Sequence, residues 1–168
     1  MDAEIEARKQ EARQALALHS MLPDTETPLW QTLEISYFAR HDAGDLAWHA
    51  RSLWRHVQSP EPIVRARPSP VGEGLQVLVY SPDRQDLFAR ICGYFDSAGF
   101  NILDAKVHTT RHGYALDTFH VFLPEHHDGD YRDLINFIEF ELAANLQRQE
   151  PIRMPPPGRL SRHLTCLC

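Results

Sequence analysis

The stretch 81–86, Ser-Pro-Asp-Arg-Gln-Asp, is the part of this chain best suited to bind a small charged ligand. Its hydroxyl and carboxylates can form hydrogen bonds with a ligand, and Arg84 can pair with a carboxylate in a bidentate manner. An apolar run at 75–80 precedes the stretch and an apolar helical pattern follows it, which predicts a strand-to-helix loop. Because N–H groups at a helix N-terminus attract anions, such a loop is a natural place to hold a carboxylate.

The polar residues of this region also have simpler structural interpretations. Asp83 is positioned to cap the following helix by accepting hydrogen bonds from its first N–H groups. Arg84 would equally suit a solvated surface, and Asn101 begins a strand at a point where turn chemistry alone favours asparagine. A carboxylate has several acceptor positions, so capping and ligand binding are compatible for Asp83. Both interpretations therefore stay open for each residue.

Composition restricts the class of protein. The net charge of −6 argues against non-specific binding to nucleic acid, which requires a basic face. The chain has no long apolar run and no signal-peptide pattern, so we expect a cytoplasmic protein that does not associate with membranes. Its three cysteines, Cys92, Cys166 and Cys168, form no framework spacing, which indicates reduced thiols rather than disulfides or a metal site.

The chain divides into three regions that differ in amino-acid composition and pattern. Residues 1–58 are predicted to be helical, with helices over 2–19, 30–41 and 46–57, the last capped by Asp45. Residues 59–74 are rich in proline and are predicted to be an extended linker. The domain boundary is therefore expected between the helical segment and residue 75.

Residues 75–168 are predicted to form an α+β domain. Apolar alternation indicates strands, and in the second strand it places Leu103, Ala105 and Val107 on one face. Helical spacing of apolar residues indicates two helices on one side of the sheet, and Gly99 is expected to end the first of them. The predicted elements are strand 75–80, helix 84–98, strand 101–110, strand 114–123, helix 130–147 and a closing strand within 160–167.

This order of elements resembles that of the ACT family of small regulatory domains. The family signature Asp-Arg-Pro-Gly-Leu corresponds here to residues 83–87, and its Gly-x-Asn-Ile step corresponds to residues 99–102. The resemblance implies a ferredoxin-like βαββαβ fold. It also implies an amino-acid site formed by Ser81, Asp83, Arg84, Asp86, Leu87, Asn101 and Ile102.

The first loop departs from the family signature at two positions. Gln85 and Asp86 stand where the signature has Pro-Gly. Glycine would let a ligand approach the backbone closely, because it has no Cβ. A carboxylate at Asp86 would narrow the site or repel the carboxyl group of an amino acid.

A wider set of motifs is similar to the bifunctional uridylyltransferase/uridylyl-removing enzymes that modify the PII nitrogen-signalling protein. The motifs are Tyr37-Phe-Ala-Arg-His41, Leu46-Ala-Trp-His-Ala50, Ser81-Pro-Asp-Arg84, Asp104-Ala105, Thr109-Thr-Arg111 and Asp117-Thr-Phe119. The resemblance implies that residues 1–58 end the region after an HD-type phosphohydrolase domain, and that residues 75–168 form the first of two glutamine-sensing ACT domains.

The same resemblance sets expectations for partners and cofactors. It implies glutamine as the effector, the PII protein as a partner of the parent enzyme, and pairing with a second ACT domain or in a homodimer. Magnesium is expected for the catalytic domains of the parent. For this chain itself we expect no catalytic residue, no metal and no cofactor.

Two other functions stay open. Adjacent His41 and Asp42 match the residue pair that HD phosphohydrolases use, which would make 1–58 the remnant of a metal-dependent hydrolase. One pair is a weak signal, because a metal site needs further ligands from other segments. Alternatively, the changes at Gln85 and Asp86 would suit an ACT module that binds no ligand and serves only as structure.

Overall fold

The computed structural model describes residues 2–125 and 131–148, which form two compact units. The first contains the described residues up to Ser59 together with Thr109–Gly113, and the second contains the remainder. No described helix is both long and apolar enough to cross a membrane. The elements are α1 (Asp2–Leu18), α2 (Thr27–Trp30), α3 (Ile35–Arg40), α4 (Ala43–Leu53), β1 (Ile63–Pro68), β2 (Leu75–Pro82), α5 (Leu87–Ser97), β3 (Asn101–Thr109), β4 (Tyr114–Phe122) and α6 (Arg132–Gln147).

The first unit is helical, as its composition predicts. Helix α1 consists mostly of good helix formers and buries Ile5, Ala12 and Leu16. Helix α4 buries a broad apolar face that includes Leu46 and Leu53. The apolar residues of both helices form the core of this unit.

Helix α4 begins three residues earlier than the sequence predicted, and its cap is Asp42 rather than Asp45. The Asp42 side chain accepts a hydrogen bond from the Asp45 backbone N–H at 2.8 Å. This is the N-cap geometry, in which a side-chain oxygen satisfies an N–H group that has no partner within the helix. Gly44 lies in the first turn of the helix.

Only the later part of the helix predicted over 30–41 is helical: α2 ends at Trp30 and α3 begins at Ile35. Arg111 bonds to the segment between them. The Arg111 backbone N–H donates to the Thr32 carbonyl at 2.8 Å, and its Nη1 donates to the Gln31 carbonyl at 2.9 Å. Its Nε and Nη2 donate to the two carboxylate oxygens of Glu34 at 2.8 and 3.3 Å. These carbonyls are therefore satisfied by a residue distant in sequence, which offsets the loss of helical hydrogen bonds.

The second unit contains a four-stranded sheet in the order β1-β2-β4-β3. Strand β1 lies within 59–74, the segment expected to be an extended linker, and pairs antiparallel with β2 from Ile63 opposite Tyr80 to Pro68 opposite Leu75. A proline is tolerated there because β1 is an edge strand. Both edges of β2 are thus paired, since β4 lies on its other side. The closing strand expected within 160–167 lies outside the described residues.

The core of the second unit confirms the predicted apolar faces of both helices. Buried residues of α5 and α6 pack with the strands, with Phe95 and Ile138 fully buried. The predicted apolar face of β3 is confirmed at Ala105, which is buried, but is wrong at Leu103, which is 44% exposed while Ile102 is buried instead. These two core residues are three positions apart, so strict alternation does not hold along this strand. The elements nevertheless confirm an α+β fold compatible with the ferredoxin-like ACT arrangement.

Replacing the observed cap tests the start of α4. Asp42→Ala should lower the free energy of unfolding by about 0.5–2 kcal/mol, because the Asp45 N–H loses its acceptor. Asp42→Ser should retain most of the stability, since serine also caps helices. Denaturant unfolding followed by circular dichroism measures both; equal losses in the two variants would contradict the cap.

Truncation of Phe95 tests the core of the second unit. Phe95 is fully buried and its ring contacts those of Tyr94, Phe100 and Phe119. Phe95→Ala should therefore lower the free energy of unfolding by about 3–5 kcal/mol. Phe140→Ala is the matched control, because Phe140 is 72% exposed and should change stability little. Similar effects of the two substitutions would contradict the assigned helix face.

Candidate functional site

The predicted site residues lie at the junction of β2, α5 and β3, but not all of their side chains face outward. Leu87 and Ile102 are each 2% exposed and belong to the hydrophobic core. Ser81 is also buried, and its hydroxyl donates to the Pro82 carbonyl at 3.0 Å. A ligand at this junction would therefore meet the backbone of these residues, or polar side chains beside them.

Asp83 does not cap α5, so that prediction is wrong. The helix begins at Leu87 with Asp86 in the cap position, and no side chain makes a capping hydrogen bond there. The chain turns between Asp83 and the helix, with the Leu87 N–H donating to the Arg84 carbonyl at 3.2 Å. Asp83 is an exposed residue. The ligand-binding role of Asp83 stays a prediction. Its role as the helix cap is excluded, because Asp86 holds the cap position.

Asp86 is held by two arginines. Its Oδ2 accepts from Arg90 Nε at 2.6 Å, and its Oδ1 lies 3.3 Å from Arg84 Nε. The hydrogen bond from Arg90, followed by the charges of Arg90 and Arg84, lowers the pKa of Asp86 despite an opposing contribution from desolvation. The carboxylate that replaces glycine in the ACT signature is thus ionised and paired. Its repulsion of an incoming carboxyl group is offset by the two guanidinium groups.

Arg84 connects the loop to the far end of α6. Its Nη2 donates to the Leu146 carbonyl at 2.6 Å. The last carbonyls of a helix lack partners within it, and a cation at this end also interacts favourably with the helix dipole. Arg84 Nε is buried and makes no hydrogen bond of good geometry to any described residue. The guanidinium is therefore held by the end of α6 through Nη2, and its buried Nε faces the Asp86 carboxylate.

Asn101 is positioned by a regular helix ending. Gly99 has a φ of 85°, the Gly99 N–H donates to Asp96, and the Phe100 N–H donates to Phe95. These two bonds form the Schellman motif, in which glycine adopts the left-handed conformation just after a helix. The predicted stop at Gly99 is confirmed. Asn101 follows as the half-buried first residue of β3.

Asp117 is a residue that sequence reasoning missed as a member of this neighbourhood. It is 1% exposed on β4 and pairs with Val79 of β2, two residues before Ser81. Burial raises its pKa to about 7; a hydrogen bond from the His108 backbone opposes this shift, and the charge of Asp83 adds to it. Its Oδ1 has no hydrogen-bond partner among the described residues. The sequence pattern that could have identified Asp117 is its spacing of two and four residues from Phe119 and Val121, which places all three on the same face of a strand.

The loop places groups of opposite charge next to one another. Asp83 has an exposed carboxylate, and the Arg84 guanidinium carries a positive charge on the next residue. The N-terminus of α5 adds backbone N–H groups and a favourable dipole for negative charge. Opposite charges on one loop are suited to binding both ends of an amino acid.

The His41-Asp42 pair does not form a metal site in the structure. Asp42 is used as the α4 cap, and His41 Nδ1 instead lies 3.7 Å from Asp45 Oδ2. His49 is buried beside them, with its Nδ1 2.6 Å from the Tyr37 hydroxyl. Among the described residues, no group of three or more histidines, cysteines and carboxylates is placed to hold a metal ion. Both residues of the pair are engaged with Asp45 of α4.

The chain is similar to known proteins along almost its whole length. Residues 1–52 match the family described as uridylyltransferase GlnD fifth domain. A bifunctional uridylyltransferase/uridylyl-removing enzyme of Chromobacterium violaceum is 59% identical over 96% of this chain, and one of Burkholderia mallei is 54% identical over 95% of it. The chain spans only 19% and 18% of the lengths of these two relatives.

The pH dependence of stability tests the protonation of Asp117. Because its folded pKa is raised, the stability contributed by protonation of Asp117 is fully present below about pH 4 and is progressively lost as the pH rises to about 7. Asp117→Asn removes this loss, so its stability relative to the unsubstituted chain should rise over that range by up to about 4 kcal/mol. A stability difference for Asp117→Asn that is constant with pH would contradict the raised pKa.

Proposed function

The chain belongs to the family of bifunctional uridylyltransferase/uridylyl-removing enzymes, and we propose that its second unit is a regulatory ACT module that senses glutamine. The observation that carries the proposal is the 81–86 loop, which places the exposed carboxylate of Asp83 and the charge of the Arg84 guanidinium just before α5. In the proposed role, the chain regulates catalytic domains of a longer cytoplasmic enzyme that acts on the PII protein.

The charges of the loop support an α-amino acid as the effector. Asp83 would accept from the ammonium group, while the N–H groups at the start of α5 would donate to the carboxylate, favoured by the nearby charge of Arg84. Asn101, at the start of β3, would bond to the amide of the glutamine side chain, since an amide both donates and accepts. A glutamate side chain cannot donate when it is ionised, so the same site would discriminate against it.

Regulation would then follow from differential binding. An effector shifts an equilibrium between two conformations only as far as its affinities for them differ. Arg84 is suited to convey this difference, because it contacts both the loop and the Leu146 carbonyl at the end of α6. Occupation of the loop would change the hydrogen bond between Arg84 and the Leu146 carbonyl. The stability of the last turn of α6 would change with it. The partner surface for this step would be a second ACT module or a second copy of the chain.

Calorimetric titration with glutamine, with glutamate as the control ligand, tests the proposal on a sample of known mass in solution. We expect selective glutamine binding that Asp83→Asn and Asn101→Ala each weaken by about tenfold or more, the loss associated with a hydrogen bond to a charged group or with an unpaired polar group. Asp104→Asn is the matched control, because Asp104 pairs with Lys106 at 3.1 Å on the same strand. Full affinity in both site variants would place the site elsewhere.

A ligand-free structural module is the second candidate, and one observation favours it. Asp86 and its two arginines already satisfy much of the charge at the start of α5. Absence of glutamine binding at millimolar concentration, in both the 168-residue chain and a chain extended to the length of its relatives, would favour this function over sensing. Binding only in the longer chain would instead show that the site needs a second module.

A further inference from the structure

The outer side of helix α6 carries two large apolar side chains. Its core residues lie on the opposite side, where Ile138 and Leu142 are fully buried, whereas Phe137 and Phe140 are 52% and 72% exposed. The two phenylalanines are three positions apart and are therefore neighbours on the helix surface. Adjacent exposed apolar side chains mark an interaction surface more often than single ones do. We call this pair the α6 aromatic face, and most of it is left uncovered by the described residues.

The segment expected to close the sheet has no open position beside β2. Strand β2 is paired along both edges, by β1 on one side and β4 on the other. Strand β1 forms the edge beyond it, and two of its backbone groups are held by side chains. The Ala66 N–H donates to Glu139 Oε2 at 2.9 Å, and the Val64 carbonyl accepts from Arg65 Nη1 at 2.9 Å. Because strand addition needs free N–H and C=O groups, residues 160–167 would have to displace these bonds to pair there.

The residues that follow α6 can cover the α6 aromatic face instead. Prolines within 151–157 favour an extended backbone of about 3.1 Å per residue, so the chain between α6 and Leu160 can span roughly 35 Å. Phe137 lies only about 15 Å along the helix axis from the end of α6. After the prolines, three leucines recur at the i, i+4, i+7 spacing of one helix face: Leu160, Leu164 and Leu167. The segment therefore has both the reach and the apolar side chains that the contact needs.

The charges favour this segment as the occupant. Helix α6 has one basic and three acidic residues, namely Arg132, Asp133, Glu139 and Glu141. Residues 151–168 contain three arginines and no acidic residue, the arginines being Arg153, Arg159 and Arg162. Opposite charges orient a contact and discriminate against wrong partners, although exposed pairs add little affinity. A second copy would place one acidic helix against another, so the basic segment of the same chain is the better match.

We propose that residues 151–168 fold back within the same chain and pack against the α6 aromatic face. Their leucines cover the rings of Phe137 and Phe140, and their arginines lie beside the acidic residues of α6. The contact removes apolar surface of both segments from water, and the loop that it closes is short, which keeps the entropic cost of closure small. It does not involve the 81–86 loop and does not depend on the proposed glutamine site.

A nitroxide label on the segment, detected through the amide signals of the ¹⁵N-labelled 168-residue chain, tests this contact. Cys168→Ser leaves Cys166 as the thiol that reacts, because Cys92 is buried and burial raises the pKa of its thiol to about 12. The signals around the α6 aromatic face should be lost more completely than that of Gln147, and reduction of the nitroxide should restore them. A loss that is greatest at Gln147 and declines steadily toward the start of α6 would show a tethered but undocked segment and overturn the proposal. A loss concentrated on β3 would place the segment there as a strand and would equally overturn it.

Two serine variants separate docking from general apolar attraction. Phe140→Ser should abolish the preferential loss around the α6 aromatic face. Leu22→Ser, which removes a 77% exposed leucine from the first unit, should leave that loss unchanged. Both side chains are exposed, so neither substitution disturbs a core. An undiminished loss in Phe140→Ser, or equal effects of the two variants, would contradict docking on α6.

A mixed sample distinguishes the same chain from a second copy. It combines ¹⁵N-labelled chains that carry no nitroxide with chains that carry the nitroxide but no ¹⁵N. The amide signals of α6 should all be retained, because the proposed contact forms within one chain. Their loss in the mixed sample would assign the α6 aromatic face to a second copy and reject the proposal.

Discussion

The pairing of β2 along both of its edges is the constraint on which the second unit depends. β1 and β4 bond to it over most of its length, and its inward-facing residues Leu75, Val77 and Val79 belong to the core beneath α5 and α6. A one-residue shift of this strand would move these core residues to the opposite face of the sheet, so its register is strongly specified. The point where β2 ends, and therefore the position of the 81–86 loop, is set by the sheet.

The loop has a charge pattern that differs from a simple capping arrangement. Asp86 sits at the helix N-terminus yet is neutralised by Arg90 and Arg84, while Asp83 remains exposed before the turn. Beneath them, Asp117 is buried with a pKa raised to about 7. Burying a carboxylate without a cation is costly unless it is protonated. A polar group retained at that cost is more often found in functional regions than in ordinary cores.

The helical unit shows how distant residues decide local structure. Its α2–α3 break would leave backbone carbonyls without helical donors, and Arg111 supplies donors to two of them while pairing with Glu34. Arg111 lies in the turn Thr109–Gly113, which groups with this unit although β3 and β4 flank it in sequence. The helix break and the turn therefore satisfy each other's polar groups.

The sequence by itself determined the α+β class, the apolar faces of α5 and α6, the stop at Gly99 and the location of the β2–α5 loop. These features depend on local periodicity and turn chemistry, which act over a few residues. Only the tertiary structure decided that β1 joins the sheet, that Asp83 stays exposed while Arg84 reaches Leu146, and that Asp117 is buried near the loop. Each of these depends on a partner many residues away, and no local pattern in a single sequence specifies which distant groups will meet.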